Sequence, residues 1–459
     1  MEFEIEINER IISLLREHRY AELKPIVAEM NEVDMALVFG ELSSRDELTV
    51  LFRLLPKDLA AEVFVELERD TQETLLRAMN DHELKAVMDE LFLDDTVDLI
   101  EEMPANVVKR VLALSDKQTR REINEILRYP KDSAGSIMTV EYVYLKVGMT
   151  VEQALEKIRR RAIDSETIYT CYVTDRSNKL LGFVTAKALL LAEPEDLISD
   201  IMETNIIFSE TTDNREDVAR KLSDHGFLAL PIVDKEERLV GIVTVDDAID
   251  VIEEETTEDI EMMAAIISSD DTPYLKKSVW EMWKSRIPWL LLLLITSTFT
   301  GLIINHFEGT LLHLSTVLFA CVPMLMGSGG NCGSQSSVTV IRSLSLGEIE
   351  TSDIFRIMWK ELRVSVFVGI TLAVACFGKL ILVDRLLLGV EGYTNEVCLV
   401  ISLALLATVV LSKLVGCSLP ILAKQCRLDP AVVASPFITT VIDAISLILY
   451  CYLAVAILS

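Results

Sequence analysis

Over the first 128 residues, apolar positions recur three and four places apart, as at Leu75, Leu76 and Met79. That is the period of a helix with one buried face. Polar breaks divide the pattern into short segments, among them 57–68, 71–79, 82–92 and 96–103. Pro25, Pro56 and Pro104 fall where segments begin, a position at which the missing N–H does no harm. Helices this short bury a face only against their neighbours, so 9–128 predicts a superhelical stack.

From 136 to 255 the period changes and the chain repeats itself. TCYVTDRSNKLLGFVTAKALL (170–190) matches LALPIVDKEERLVGIVTVDDAI (228–249), and each is preceded by a similar start, SIMTVEYVYL or DIMETNIIFS. Apolar strands at 172–174, 182–185, 231–233 and 241–244 alternate with helices at 150–161 and 214–224. This α/β pair resembles a tandem CBS pair. Residues 246–284 follow as one long acidic helix, with a break near Pro273 and a basic end at Lys276, Lys277 and Lys284.

The remainder is dominated by apolar runs. About 20 apolar residues cross a bilayer as a helix, and five spans are predicted near 287–306, 314–341, 360–383, 397–422 and 431–457. Charge separates the two halves. The chain of 459 residues carries a net charge of -29. From Ser285 onward, 4 Lys and 6 Arg balance 4 Asp and 6 Glu, so the whole excess lies earlier. An acidic half of this kind repels nucleic acid and attracts cations. The start, MEFEIEINER, lacks the basic and apolar regions of a secretory signal. Segments 342–363 (Arg342, Arg356, Lys360, Arg363) and 413–427 (Lys413, Lys424, Arg427) are basic, whereas 305–313 and 384–396 carry only Arg385. The positive-inside rule then places the acidic half and the N-terminus in the cytoplasm and the C-terminus outside. The eight cysteines form no CxxC pair and read as free thiols.

Two intramembrane features bear on chemistry. GSGGNCGSQSS (327–337) interrupts the second span. It reads either as a seam of small residues or as a pore-lining kink offering carbonyls and the Asn331 amide, with Gln335 one turn on. Asp443 is the only acid in the last apolar run. A carboxylate at that depth costs several kcal/mol unless it meets water, a partner or a cation. Ser435, Thr439 and Asp443 are spaced by four and form one helical stripe. A structural hydrogen bond to a neighbouring Ser or Thr is the alternative for Asp443. Asp429, followed by Pro430, stands where an N-cap or a cytoplasmic mouth would be. One carboxylate per chain, doubled across a twofold axis, suits Mg²⁺, which keeps several of its waters. A soft metal would want Cys or His ligands, which the stripe lacks. In the soluble half, acids gather at 93–103, 211–224 and 246–261. Solvated faces account for most of them, but divalent cations bridging them would offset the self-repulsion and make a switch. No Gly-x-x-x-x-Gly-Lys-Ser/Thr loop occurs, which agrees with cation entry that needs no ATP hydrolysis; the chain is expected not to be an enzyme.

AGSIMTVEYV (134–143), DSETIYTCYV (164–173), LVGIVTVDDAIDVIEEETTEDI (239–260), GSGGNCGSQS (327–336) and LDPAVVASPFITTVIDAISLILY (428–450) resemble the MgtE family of magnesium channels or transporters. The resemblance implies a mostly α fold with a small α/β part. A helical superhelix N-domain (1–130) and a tandem CBS pair (131–255) precede a connecting plug helix (246–284) and a five-span membrane domain (285–459). It implies a homodimer in the bacterial inner membrane that imports Mg²⁺, closes when cytosolic Mg²⁺ is high, and so maintains magnesium homeostasis. The family's pore acid and second-span asparagine would fall on Asp443 and Asn331, and Thr439 and Ser435 of the stripe, where family members vary, would complete the pore residues. Cytosolic sensing would fall on Glu62, Asp94, Asp98, Glu216, Asp224, Asp247, Asp250, Glu255, Glu258, Asp259 and Asp429. CBS pairs often bind ATP through a Gly-x-x-Thr-x-x-Asp turn. The second repeat has Gly241, Thr244 and Asp247, while the first has Ala188 where the acid should be. A Co²⁺ or Mn²⁺ carrier, or a membrane-anchored sensor of Mg²⁺ or nucleotide without transport, are the alternative readings.

Overall fold

The computed structural model describes residues 2–162, 165–267, 274–275, 277–433 and 435–458, with side chains at all of these except 2–6, 102, 432, 433 and 435. Two compact units divide the chain, Met1–Glu253 and Glu254–Ser459.

Ten short helices open the first unit, from α1 (Glu2–Arg16) through α5 (Lys57–Val65), α7 (Asp81–Met88) and α8 (Leu93–Glu102) to α10 (Lys117–Ile126). Alternate helices stack on one another, as a superhelix requires. Local chemistry sets their starts. The Asn80 side chain accepts from the N–H groups of His82 and Glu83, and the Glu83 carboxylate accepts from the Asn80 N–H. Such a cap is worth about 1 kcal/mol. Pro56 and Pro104 stand at N-caps. Pro25 does not start a segment: it lies inside the helix Tyr20–Val27, whose shortness limits the loss of backbone hydrogen bonds.

The repeat pair follows with two three-stranded sheets of identical topology. The first is β1 (Tyr142–Lys146), β2 (Thr167–Thr174) and β3 (Leu180–Thr185); the second is β4 (Ser209–Glu210), β5 (Ala229–Val233) and β6 (Leu239–Thr244). In each, the outer pair is parallel and the inner hairpin antiparallel. The edge strands β1 and β4 were not legible as runs, because only two residues of β1 and one of β4 are buried. The repeats exchange their leading segments. Thr139 and Ile242 trade both backbone hydrogen bonds, and so do Phe183 and Glu203. These exchanges explain the repeat glycines: a Cβ on Gly182 would stand 2.3 Å from the Glu203 carbonyl, and one on Gly241 would stand 2.6 Å from Met138 Sδ.

Helices α11 (Val151–Arg161), α12 (Ala186–Leu191), α13 (Ile198–Ile201) and α14 (Arg215–His225) lie between the strands in sequence, and helix α15 (Val245–Met263) continues from β6. It is shorter than the predicted 246–284, and Ala265 just beyond it has a positive φ of 57°. The break expected at Pro273, and Lys276 beside it, lie outside the described residues.

In the second unit, α16 (Val279–Leu314), α17 (Thr316–Ala320), α18 (Val322–Ser345), α19 (Ile354–Lys379), α20 (Asn395–Gln425) and α21 (Ser435–Leu458) form a bundle. A π-helical stretch, Leu380–Leu387, extends α19. Helix α20 lies at the centre, against α18, α19 and α21. Among the described residues, four helices are long and apolar enough to cross a membrane: those within Val279–Leu314, Thr351–Leu387, Asn395–Gln425 and Pro436–Leu458. Five were expected. The missing one is α18, which has the length but is rich in Gly, Ser, Asn and Gln. Its polar residues Ser336 and Ser337 are buried in the bundle instead of facing outward. All eight cysteines are free, and all but Cys426 are buried.

Candidate functional site

Asp443 sits half-buried on α21 and faces bare backbone. A Cβ built on Gly330 of α18 would stand 3.3 Å from Thr439 Cγ2 and 3.8 Å from Asp443 Oδ1. Among the described residues, nothing donates a hydrogen bond to that carboxylate or pairs with it. The structural hydrogen bond weighed against a cation role is therefore missing. Thr439 does not supply it, because its hydroxyl donates to the Pro436 carbonyl at 2.9 Å. Asn331 and Gln335, one turn apart, both lie on the exposed side of α18. Ser435 begins α21, but its side chain lies outside the described residues.

The glycine-rich stretch does not interrupt the helix. Residues 327–337 run inside one unbroken helix, α18. Its glycines let backbones meet: a Cβ on Gly416 of α20 would stand 2.3 Å from the Gly333 carbonyl. Small residues at such crossings are what membrane helices use for close approach. At Gly330 the same bareness means that α18 puts no side chain between itself and Thr439 or Asp443.

Sequence reasoning placed Lys413 in a cytoplasmic loop. It lies instead within α20 and is buried. Its ammonium stands 3.7 Å from Glu361 Oε2 of α19 and donates to the Ser336 hydroxyl at 3.1 Å. Ser336 in turn donates to Glu361 Oε2 at 2.7 Å. The positive-inside count loses one charge, while Lys424 and Arg427 stay exposed at the end of α20 and just beyond it. An alternation of charge with long apolar runs did not reveal the pair, since its members are far apart in sequence.

The soluble carboxylates converge where α8 meets the repeat pair. Burial, then Asp95 and Glu141, pushes the Asp94 carboxyl up to about 7. Burial followed by Asp247 and Asp246 does the same to Asp95, also to about 7. Asp247 rises to about 7 through burial and Asp94, and Glu166 to about 8 through burial, Asp94, Asp246 and Asp247. One Glu166 oxygen, Oε2, is buried without a hydrogen-bond partner. Desolvation and like charges both disfavour the ionised form. Asp250 is raised by burial and Glu253, and Glu62 by burial, Glu32 and Asp58. Asp95, Glu141, Glu166 and Asp246 were missed from sequence, Glu166 because it stands alone and only the fold brings it to the others.

The other predicted sensing residues scatter. Asp98 and Asp224 are exposed. Glu216 pairs with Arg220 at 2.7 Å. Glu255 and Glu258 lie along α15. Asp259, nearer its end, accepts from the Ser345 hydroxyl of α18 at 3.1 Å, and Met262 and Met263 pack with Ile341 and Ala431. Asp429 is exposed and accepts from the Ala431 N–H at 2.7 Å, a capping contact. Pro430 starts a 3-10 turn ahead of α21 instead of occupying its first position. Among the described residues, no three His, Cys, Asp or Glu side chains already stand close enough together to enclose a metal ion.

Gly241, Thr244 and Asp247 do not frame an open cradle. The space beside Gly241 is filled by Met138 and the Thr139 carbonyl, and Asp247 accepts from the Thr244 hydroxyl.

Three family models match the chain: an intracellular N domain of MgtE over 30–132, CBS domains over 134–195 and 198–254, and the MgtE divalent cation transporter over 322–453. The magnesium transporter MgtE of Thermus thermophilus is 36% identical over 433 residues, covering 93% of each chain. That of Bacillus subtilis is 33% identical over 448 residues, covering 97% of this chain and 96% of its own. A crystal structure of the cytosolic domain of the Mg²⁺ channel MgtE in complex with ATP aligns at 37% identity and a TM-score of 0.51, over 53% of this chain and 99% of that one.

Proposed function

The chain belongs to the MgtE family of magnesium transporters, and on that premise we propose that it admits Mg²⁺ through a membrane pore built around Asp443. The observation that carries this reading is the half-buried Asp443 carboxylate, unpartnered among the described residues and facing the bare backbone of Gly330. A carboxylate in an apolar bundle needs compensating charge. A passing cation supplies it.

The pore lies between two copies of the chain in a bacterial cell membrane. Support comes from the exposed Asn331 and Gln335 beside the Asp443 site, polar groups that a lone bundle would leave against lipid. Pairing doubles the carboxylates to two, which suits an octahedral ion that retains its waters. The membrane potential drives entry with about 2.3 kcal/mol per elementary charge per 100 mV. The N-terminus faces the cytoplasm and the C-terminus the outside, in keeping with the exposed Lys424 and Arg427.

Cytosolic Mg²⁺ closes the pore by binding the soluble carboxylates. Asp94, Asp95, Glu166 and Asp247 repel one another when ionised, and a divalent ion relieves that repulsion. Since no three of them stand ready to enclose an ion, Mg²⁺ is held through its waters or draws them together. Helix α15 begins among these carboxylates and ends at the Asp259–Ser345 contact with α18. It therefore links the ion-binding region to the pore helix.

ATP has weaker support in this chain. A relative's cytosolic domain was solved with ATP, but here the space beside Gly241 is filled by Met138 and the Thr139 carbonyl. Titration with ATP, read by thermal unfolding of the soluble half, checks it.

The deciding experiment is Mg²⁺ influx into proteoliposomes at a fixed potential, with Co²⁺ and Mn²⁺ as competitors and internal Mg²⁺ varied. Influx that internal Mg²⁺ suppresses is expected. Absence of influx would leave only the membrane-anchored sensor, and preference for Co²⁺ or Mn²⁺ would leave the other carrier reading.

A further inference from the structure

We propose that Glu361 and Lys413 are positioning residues that, through Ser336, hold α18 in the register that places Gly330 and Asn331 at the ion path; this rests on the transport reading above.

Three observations carry the inference. Glu361 Oε2 takes a hydrogen bond from Ser336 at 2.7 Å and stands 3.7 Å from Lys413 Nζ, and Lys413 donates to the same hydroxyl at 3.1 Å. One oxygen on α18 is thus fixed by α19 and α20 together. Secondly, over Gly329, Gly330 and Gly333 α18 presents no side chain of its own to α20 and α21, and its Val340 and Leu344 pack with Cys417 and Ile421 only farther along the helix. Helices keep register by knobs entering holes, and over this stretch beside the ion path α18 supplies no knobs of its own. Thirdly, the neighbouring hydroxyls do not tie the seam. Ser337, Thr408 and Ser412 are buried without hydrogen-bond partners.

Energetics favour a positioning role over a purely stabilising one. A buried ion pair returns little net stability over a well-packed apolar pair, but it does specify geometry. The contact lies between the two ends that matter: Ser336 is five residues beyond Asn331 and nine before Ser345, where Asp259 of α15 attaches. A shift of α18 along its axis would move the ion path and the α15 contact together.

The test uses full-length protein in proteoliposomes and four variants: S336A, E361Q, K413M and the exchange E361K/K413E. Mg²⁺ influx and thermal unfolding are measured for each. S336A should retain the ion pair and its unfolding temperature, yet lose influx by about three- to tenfold. The loss should fall on the maximal rate and leave the half-saturating Mg²⁺ unchanged, since Asp443 is untouched. E361Q and K413M should lose at least as much, and the exchange should restore a large part. Folded S336A with wild-type influx overturns the proposal, even if E361Q and K413M fail to fold. So does an exchange variant that folds but recovers nothing relative to its single variants. Wild-type protein that carries no Mg²⁺ would instead sink the transport reading, a result distinct from either.

Discussion

The soluble unit and the membrane unit handle carboxylates in opposite ways. In the first, Asp94, Asp95, Asp247 and Glu166 crowd together and are held above the ordinary carboxylate range by burial and one another. In the second, Glu361 has Lys413 built in as its cation, whereas Asp443 has no described partner. Crowding gives a site whose affinity depends on how many protons it holds, which suits a sensor. Isolation gives a site that attracts a cation without gripping it, which suits passage. The Glu361 pair shows what the membrane unit does with an acid that is not meant to meet an ion.

The largest effect that would break this contrast is at Asp443. Asp443→Ala should lower Mg²⁺ influx by roughly 10- to 100-fold, since interactions with a charged group are worth about 1.5–3 kcal/mol each. It should leave Mg²⁺ protection of the soluble unit against protease unchanged. Loss of that protection would mean that the two carboxylate systems are not separate.

Gly416→Ala sharpens the membrane side. Its Cβ would meet the Gly333 carbonyl at 2.3 Å, so the helices must part, at a cost of about 1–3 kcal/mol. A fall in the unfolding temperature of the detergent-solubilised protein is expected; an unchanged temperature would show that the seam is loose.

Proton linkage tests the crowded side. Folding raises these carboxyls from about 4 to between about 7 and 8. A raised carboxyl contributes stability that is complete below its unfolded value and lost as pH climbs through its folded value. Without divalent ions, the soluble half should therefore become less stable from pH 4 to 8, the reverse of ordinary acid denaturation. Mg²⁺ binds the deprotonated form, so its affinity should rise by up to roughly tenfold between pH 6 and 8, with proton release. Calorimetry in two buffers of different ionisation heat would read both. Affinity independent of pH would remove the cluster from the sensor.

The smallest effect distinguishes neighbours on α8. Asp95→Asn should stabilise the ion-free soluble half by about 1 kcal/mol, because one repelling buried charge disappears. Asp98→Asn, on the exposed face, should change it by less than about 0.5 kcal/mol. Equal shifts would say that burial does not distinguish them.

Much of the architecture was legible in the chain. The repeat at 170–190 and 228–249 announced two equal α/β halves, and the structure gives each the same sheet order. The apolar runs located α16, α19, α20 and α21. Asp443 stood out because it is the only acid in its apolar run. The carboxylate group was read less well. Asp94, Asp247 and Asp250 belong to it, while Asp98 and Asp224 point outward, and Asp95 and Glu166 were overlooked. An acidic segment shows that charge is present, but which side of a short helix is covered depends on what packs there.

What the sequence determined by itself was periodicity and composition: where helices and strands lie, which half is acidic, and which single acid an apolar run must accommodate. These depend on residues near one another along the chain. Only the tertiary structure decided that the glycine stretch continues one close-packed helix, that Lys413 is buried against Glu361 and not in a loop, and that Glu166 joins the acids of α8. Each of those depends on which backbone comes within reach of another, and residues far apart in sequence carry no local signal of that distance.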